Sequence, residues 1–183
     1  MLSPSPLLSL DVRGKRLFEA LVWLEAHAAA EPLTDEIICR YHRMIFEGGA
    51  KHAGMYRRQP ASVLGSVIPP VPPHRVGTLM KQLHMKLLDL QKDFDGAGKP
   101  DQGSVLHAAV EFYHRLCVIH PFTDSNGRTA RLGMNHLLRR YDLPYCIYPS
   151  LDKGSGMLKA LNEADKGNFE PLILLAKACL HQI

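Results

Sequence analysis

The sequence predicts an all-α protein, one bundle of about seven or eight helices carrying a short β-hairpin. Three observations carry that prediction. Apolar residues recur at spacings of three and four along most of the chain, as in Val76, Leu79, Met80, Leu83, Leu87 and Leu90. Helix-stopping groups at Pro32, Gly48-Gly49, Gly96-Ala-Gly-Lys-Pro and Lys166-Gly-Asn cut those runs into helix-sized pieces. The β-prone residues Val63, Leu64, Val67 and Ile68 gather around Gly65, beside prolines at 69, 70, 72 and 73 that exclude a helix. A chain of 183 residues suits one domain and can bury roughly 70% of its unfolded surface. No repeat or linker divides it, so residues 13–183 read as a single domain behind a flexible, Ser-Pro-rich segment at 1–12.

The elements follow in order. Leu17, Leu21, Trp23 and Leu24 trace an apolar stripe from Arg13 to about Ala30, stopped by Pro32. Thr34-Asp-Glu opens a second helix, a capping residue followed by acids, which runs to Phe46. Gly54-Met-Tyr-Arg-Arg then leads into the hairpin, about residues 56–68. A third helix spans about Pro73 to Asp95, a fourth Gly103 to Val118, and a fifth Asn126 to Tyr141. Leu143-Pro-Tyr-Cys-Ile-Tyr-Pro reads as an extended crossing, followed by helices over about Gly154–Asp165 and Phe169–His181.

Composition narrows the function. The net charge of +4 comes without a basic run interleaved with aromatics, so nucleic acid is not an expected partner. Cys39, Cys117, Cys146 and Cys179 are far apart with no C-x-x-C, which predicts reduced, buried thiols rather than a zinc site or a disulfide framework. His107 and His114, seven apart, are expected to be packing residues on a buried face. Met1 to Leu10 lacks the basic start and long apolar core of a signal peptide, and no stretch reaches the ~20 apolar residues needed to cross a bilayer. A cytoplasmic protein with no membrane partner is expected.

The chemistry concentrates in His120-Pro-Phe-Thr-Asp-Ser-Asn-Gly-Arg-Thr-Ala-Arg131, a loop opening into the fifth helix. A helix starting near Asn126 leaves backbone N–H groups without partners and adds partial positive charge, which favours an anion such as phosphate. Ser125 and Asn126 are small, and Gly127 has no side chain to block close backbone approach. Arg128 and Arg131, three apart, share a helix face and can each fork onto phosphate oxygens. Asp124 is the single acid among five arginines between Arg115 and Arg140, the natural holder of Mg²⁺ (or Mn²⁺) bridging phosphates. His120 can act as a base on an incoming hydroxyl. Taken singly, Asp124 or Ser125 reads as a helix cap, and the arginines as a solvated face. Their joint spacing favours one phosphate site.

This segment resembles the signature of the Fic family, His-Pro-Phe-x-Asp/Glu-Gly-Asn-Gly-Arg-x-x-Arg, at eight of its nine specified positions. The resemblance implies a mostly helical Fic fold that binds ATP with Mg²⁺ and transfers AMP to a Ser, Thr or Tyr hydroxyl of a target protein. It implies His120 as the base, Asp124 as the metal holder, Asn126, Gly127 and Arg128 around the phosphates, and Arg131 on the terminal one. Ser125 departs from the pattern, which has Gly there, so donor choice stays open between AMP, UMP, another nucleotide moiety and phosphocholine, and a catalytically weak nucleotide-binding module stays open beside them. The related Doc subgroup, which transfers a phosphoryl group, carries Lys where this chain has Gly127. Family members also carry a Gly-x-Tyr-Arg segment before a hairpin called the flap. By that likeness Val63, Leu64, Gly65, Ser66 and Val67 would dock the target by strand pairing.

Many Fic proteins are restrained by a helix bearing Ser/Thr-x-x-x-Glu-Gly/Asn. None of the eight glutamates here has Ser or Thr four residues earlier. The expectation is therefore an unrestrained enzyme, or a toxin held by a separate antitoxin-like protein whose Glu would dock on Arg131.

Overall fold

Helix after helix in this chain starts at the residue its local chemistry nominates. A computed structural model describes residues 11–49, 51–61, 69, 71–149 and 156–181. Helix α1, Val12–His27, begins where the Asp11 carboxylate accepts from Gly14 N at 2.7 Å. Helix α2, Asp35–Ile45, is capped by Thr34, and α4, Gln102–Ile119, by Asp101, whose carboxylate takes Ser104 N at 2.8 Å. Helix α3, Pro73–Gly96, starts with Pro at its first position, where a missing N–H costs nothing. Helix α5, Asn126–Arg140, lies at the centre, with ten of its fifteen residues buried. Strand β1, Tyr145–Cys146, follows, then α6, Met157–Asp165, α7, Glu170–Ala178, and strand β2, Leu180–His181. The seven helices among the described residues match the expected order and the expected number of about seven or eight.

Several boundaries differ from expectation. The first helix stops at His27 rather than Ala30, and the last stops at Ala178 instead of continuing to His181. Leu180 and His181 pair antiparallel with Cys146 and Tyr145, because the extended backbone of the crossing segment offers partners that a further helical turn would forgo. The flap residues Val63, Leu64, Gly65, Ser66 and Val67, the segment 1–10 and residues 150–155 lie outside the described residues. His107 is exposed, against expectation, while His114 is buried and bonded to Asp165 at 2.8 Å. The four thiols are free, yet only Cys146 among them is fully buried.

The core joins α4 to α5. Phe112 of α4 lies where a Cβ on Gly133 of α5 would be, so a glycine is what lets the two helices approach. Buried polar side chains then pin the loops. Gln91 on α3 accepts Leu33 N at 2.7 Å and donates to Leu33 O at 3.1 Å. Asn135 on α5 does the same for Cys146, at 2.7 and 3.0 Å. His136 Nε2 donates to Glu31 O, so its Nδ1 accepts from the Tyr41 hydroxyl at 2.7 Å. Each amide or imidazole replaces a backbone partner that a loop lacks.

Candidate active site

The site begins where α4 ends. His120 is the C-cap, in the left-handed conformation at φ 51° and ψ 59°, and its N–H still donates to Leu116 O at 2.9 Å. Its Nδ1 lies 3.3 Å from Cys117 O, and a carbonyl can only accept, so Nδ1 carries the proton and Nε2 keeps the lone pair. Burial lowers the imidazole's pKa below its ordinary 6.5, with a smaller push from the Arg57 charge against the opposing effects of Cys117 O and Asp124. Neutral imidazole is therefore the form present near neutral pH.

The turn after His120 is pinned from beneath. Phe122 is fully buried and stacked on the His42 ring, centroids 3.9 Å apart and planes 4° apart. The Asn126 amide accepts Phe122 N and donates to Phe122 O, both at 2.9 Å. His42, itself buried, accepts Gly54 N on Nδ1 at 2.8 Å and so donates from Nε2 to Asp124 O at 3.2 Å. Burial pushes its pKa down to about 4, which keeps that one-donor, one-acceptor form. Gly54 adopts φ +72° close to Cys39 O, where a Cβ would sit at 2.8 Å.

These contacts leave specific groups open. The Asp124 carboxylate is exposed, with Arg128 Nη2 at 3.8 Å. Ser125 sits at φ 60°, ψ 12°, and neither it nor Asp124 caps α5 through its side chain, so the capping explanation of this pair does not apply. The first N–H of the helix to find Ser125 O is that of Thr129, at 2.9 Å. The N–H groups of Asn126, Gly127 and Arg128 head the helix, and among the described residues nothing lies within 4 Å of where a Gly127 Cβ would point. Because its amide is spent on Phe122, Asn126 has only its backbone N–H to offer an anion. Arg128 donates to Ser125 Oγ at 2.8 Å and to Glu47 at 3.4 Å. Arg131 Nη2 reaches Pro149 O at 3.3 Å, and its Nε is buried without a partner among the described residues.

The structure thus gathers His120, Asp124, Ser125, Asn126, Gly127 and Arg128 on one turn and the first turn of α5, with Arg131 one turn further. His42, Arg57 and Glu47 join them from distant parts of the chain, and local spacing carried no signal for His42 or Glu47. Arg57 belongs to the Gly-x-Tyr-Arg segment but had no assigned contact. Tyr148 is buried with its hydroxyl on Leu172 O, while Tyr141 and Tyr145 bond Asp95 and Glu25. Among the described residues no group of three or more His, Cys, Asp and Glu could hold a metal.

The model of the Fic/DOC family matches residues 32–138. A protein of Nematostella vectensis called protein adenylyltransferase Fic is 32% identical over 145 residues, covering 79% of this chain and 31% of that protein. The chain spans between 19% and 32% of the length of such relatives. Among solved structures, a Fic domain containing signaling protein from Bacteroides thetaiotaomicron superposes with a TM-score of 0.73 at 24% identity, covering 93% of this chain and 70% of that one. The BepC protein of Bartonella tribocorum, solved with bound AMPPNP, superposes at 0.66 with 21% identity over 92% of this chain and 86% of that one.

Proposed function

This chain belongs to the Fic/DOC family, and we propose that it transfers AMP from ATP to a Ser, Thr or Tyr hydroxyl of a target protein. The observation that carries the reading is the His120 tautomer. With Nδ1–H committed to Cys117 O, Nε2 is a neutral base beside an uncapped helix N-terminus. Nε2 takes the proton of the target hydroxyl, whose oxygen attacks the α-phosphorus of ATP. The bond from that phosphorus to the bridging oxygen breaks, and pyrophosphate leaves. The N–H groups of Asn126, Gly127 and Arg128 and the guanidiniums of Arg128 and Arg131 would receive the leaving charge. A divalent ion such as Mg²⁺ fits the exposed Asp124 carboxylate and would neutralise phosphate charge when bound. The names of the matched relatives, and the AMPPNP in one similar structure, support ATP as the donor.

The target would dock at the flap, residues 63–67, by backbone pairing. A separate inhibitory protein whose Glu reaches Arg131 fits a toxin held in check, and the Arg131→Ala variant should then lose affinity for it. No described helix is long and apolar enough to cross a membrane, and an ATP-consuming reaction fits the cytoplasm. Incubation with ATP labelled at the α-phosphate tests the reading. The wild type should label itself or a target, His120→Ala should not, and mass spectrometry should find an added AMP. Equal labelling by both proteins would end it.

One observation favours a second reading, a nucleotide-binding module of low turnover. Arg128 is already engaged by Ser125 and Glu47, which compete with phosphate. Calorimetry showing ATP binding without turnover across hydroxyl-bearing targets would select it.

A further inference from the structure

Arg57 is a buried cation with no carboxylate partner among the described residues. It is 3% exposed, and among the described residues every acceptor of its guanidinium is a backbone carbonyl. Nε donates to His120 O at 2.7 Å, and Nη2 to Ile119 O at 3.4 Å and Val71 O at 2.6 Å. Nη1 donates to Gln59 O at 2.9 Å, and the backbone N–H of Arg57 donates to Pro121 O at 2.8 Å. A guanidinium carries five donors in a rigid fork, so it makes these four directed bonds to three chain segments at once, one more than the three donors of an ammonium allow. The two carbonyls from α4 are the last of that helix, where the dipole is negative and a cation is stabilised.

The placement matters because His120 is a non-glycine residue in the left-handed region, a conformation its own backbone does not favour. Something outside the turn must hold it. Arg57 binds the carbonyl on one side of that residue's peptide through Nε, and its N–H binds the next carbonyl along.

We infer that Arg57 is a positioning residue for His120: it holds the left-handed turn that ends α4 in the geometry that keeps Nδ1–H on Cys117 O and leaves Nε2 free for the target hydroxyl. It touches no substrate. The role rests on the transferase reading, and it makes the Gly54-Met-Tyr-Arg57 segment part of the site rather than a connection to the hairpin.

The test uses the full chain with Arg57→Lys, which keeps the charge and loses the fork, and Arg57→Ala, which leaves a guanidinium-sized gap. A positioning role predicts that Arg57→Lys slows transfer of labelled AMP about 10- to 100-fold, the loss typical of a misplaced reacting group. Binding of a non-hydrolysable ATP analogue with Mg²⁺ should stay within about twofold, because the α5 N–H groups and arginines are untouched. The His120 imidazole resonance, assigned with His120→Ala, should move in Arg57→Lys while that of the distant, buried His136 stays. Millimolar guanidinium should restore part of the transfer by Arg57→Ala. Wild-type transfer by Arg57→Lys, an equal fall in analogue affinity, or an unmoved His120 resonance would overturn the role. If the wild-type chain labels nothing, the transferase reading fails, and the His120 resonance alone decides the inference.

Discussion

Ser125 is where a side chain and a backbone demand disagree. It holds φ 60°, ψ 12°, a conformation glycine takes freely and other L-residues pay about 1 kcal/mol to adopt. Its hydroxyl accepts from Arg128, and its carbonyl takes both the N–H and the hydroxyl of Thr129. Ser125→Gly keeps the carbonyl contacts and removes the strain, so the melting temperature should rise by about 2–4 °C. The same change releases Arg128, and calorimetry should find tighter binding of ATP. A lower melting temperature would show that the hydroxyl contact outweighs the strain. His120 makes a second prediction at this scale. Burial favours its neutral form, so the acid limb of the transfer rate should lie below pH 6.5. A limb above that value in a pH–rate profile would contradict the environment described for the ring.

At the scale of elements, the turn between α4 and α5 is a scaffold before it is a site. Asn126→Ala removes both bonds to Phe122 and strands a buried N–H and C=O. About 2–4 kcal/mol of stability should be lost in urea titrations, with ATP affinity falling as the turn loosens. A loss below 1 kcal/mol would mean that water replaces the amide. The α4–α5 contact gives a cleaner case. Gly133→Ala drives a methyl into the Phe112 ring and should cost about 1–3 kcal/mol, measured the same way, while the signature loop keeps its sequence. The β1–β2 pair is built by similar means, since Asn135 reads both polar groups of Cys146 and presents the strand to Leu180.

At the scale of the whole molecule, two buried imidazoles tie the helices together in their neutral forms. His42 joins α2 to the Gly54 segment and the signature loop, and His136 joins α5 to α2 and to Glu31. Burial lowers both to about 4 from an ordinary 6.5. A group whose pKa is depressed by folding stabilises the native state above its unfolded value, and that contribution is lost as pH falls through the folded value. Stability should therefore be flat above about pH 6.5 and decline steadily toward pH 4, as seen in urea midpoints taken across that range. Replacing His136 by Phe should flatten part of this slope, because a ring that cannot be protonated leaves nothing to titrate.

The order of the helices, most of their starts, and the twelve residues from His120 to Arg131 could all be read along the chain. These features depend on neighbours within a few positions: a period of three and four, a capping oxygen three residues before an N–H, a Gly or Pro that stops a turn. Spacing also brought His120, Asp124 and Arg128 together, since they are joined by one short loop. What each side chain does there was decided by residues far along the sequence. His42 reaches Asp124 across 82 positions, and Arg57 reaches His120 across 63. The Asn126 side-chain amide is engaged by Phe122 in the fold, which leaves the backbone N–H of that residue for an anion. Leu180 and His181 look helical and form a strand because Cys146 lies beside them. A local pattern states which groups are available, while the burial and hydrogen bonding that commit each group arise only when distant segments meet.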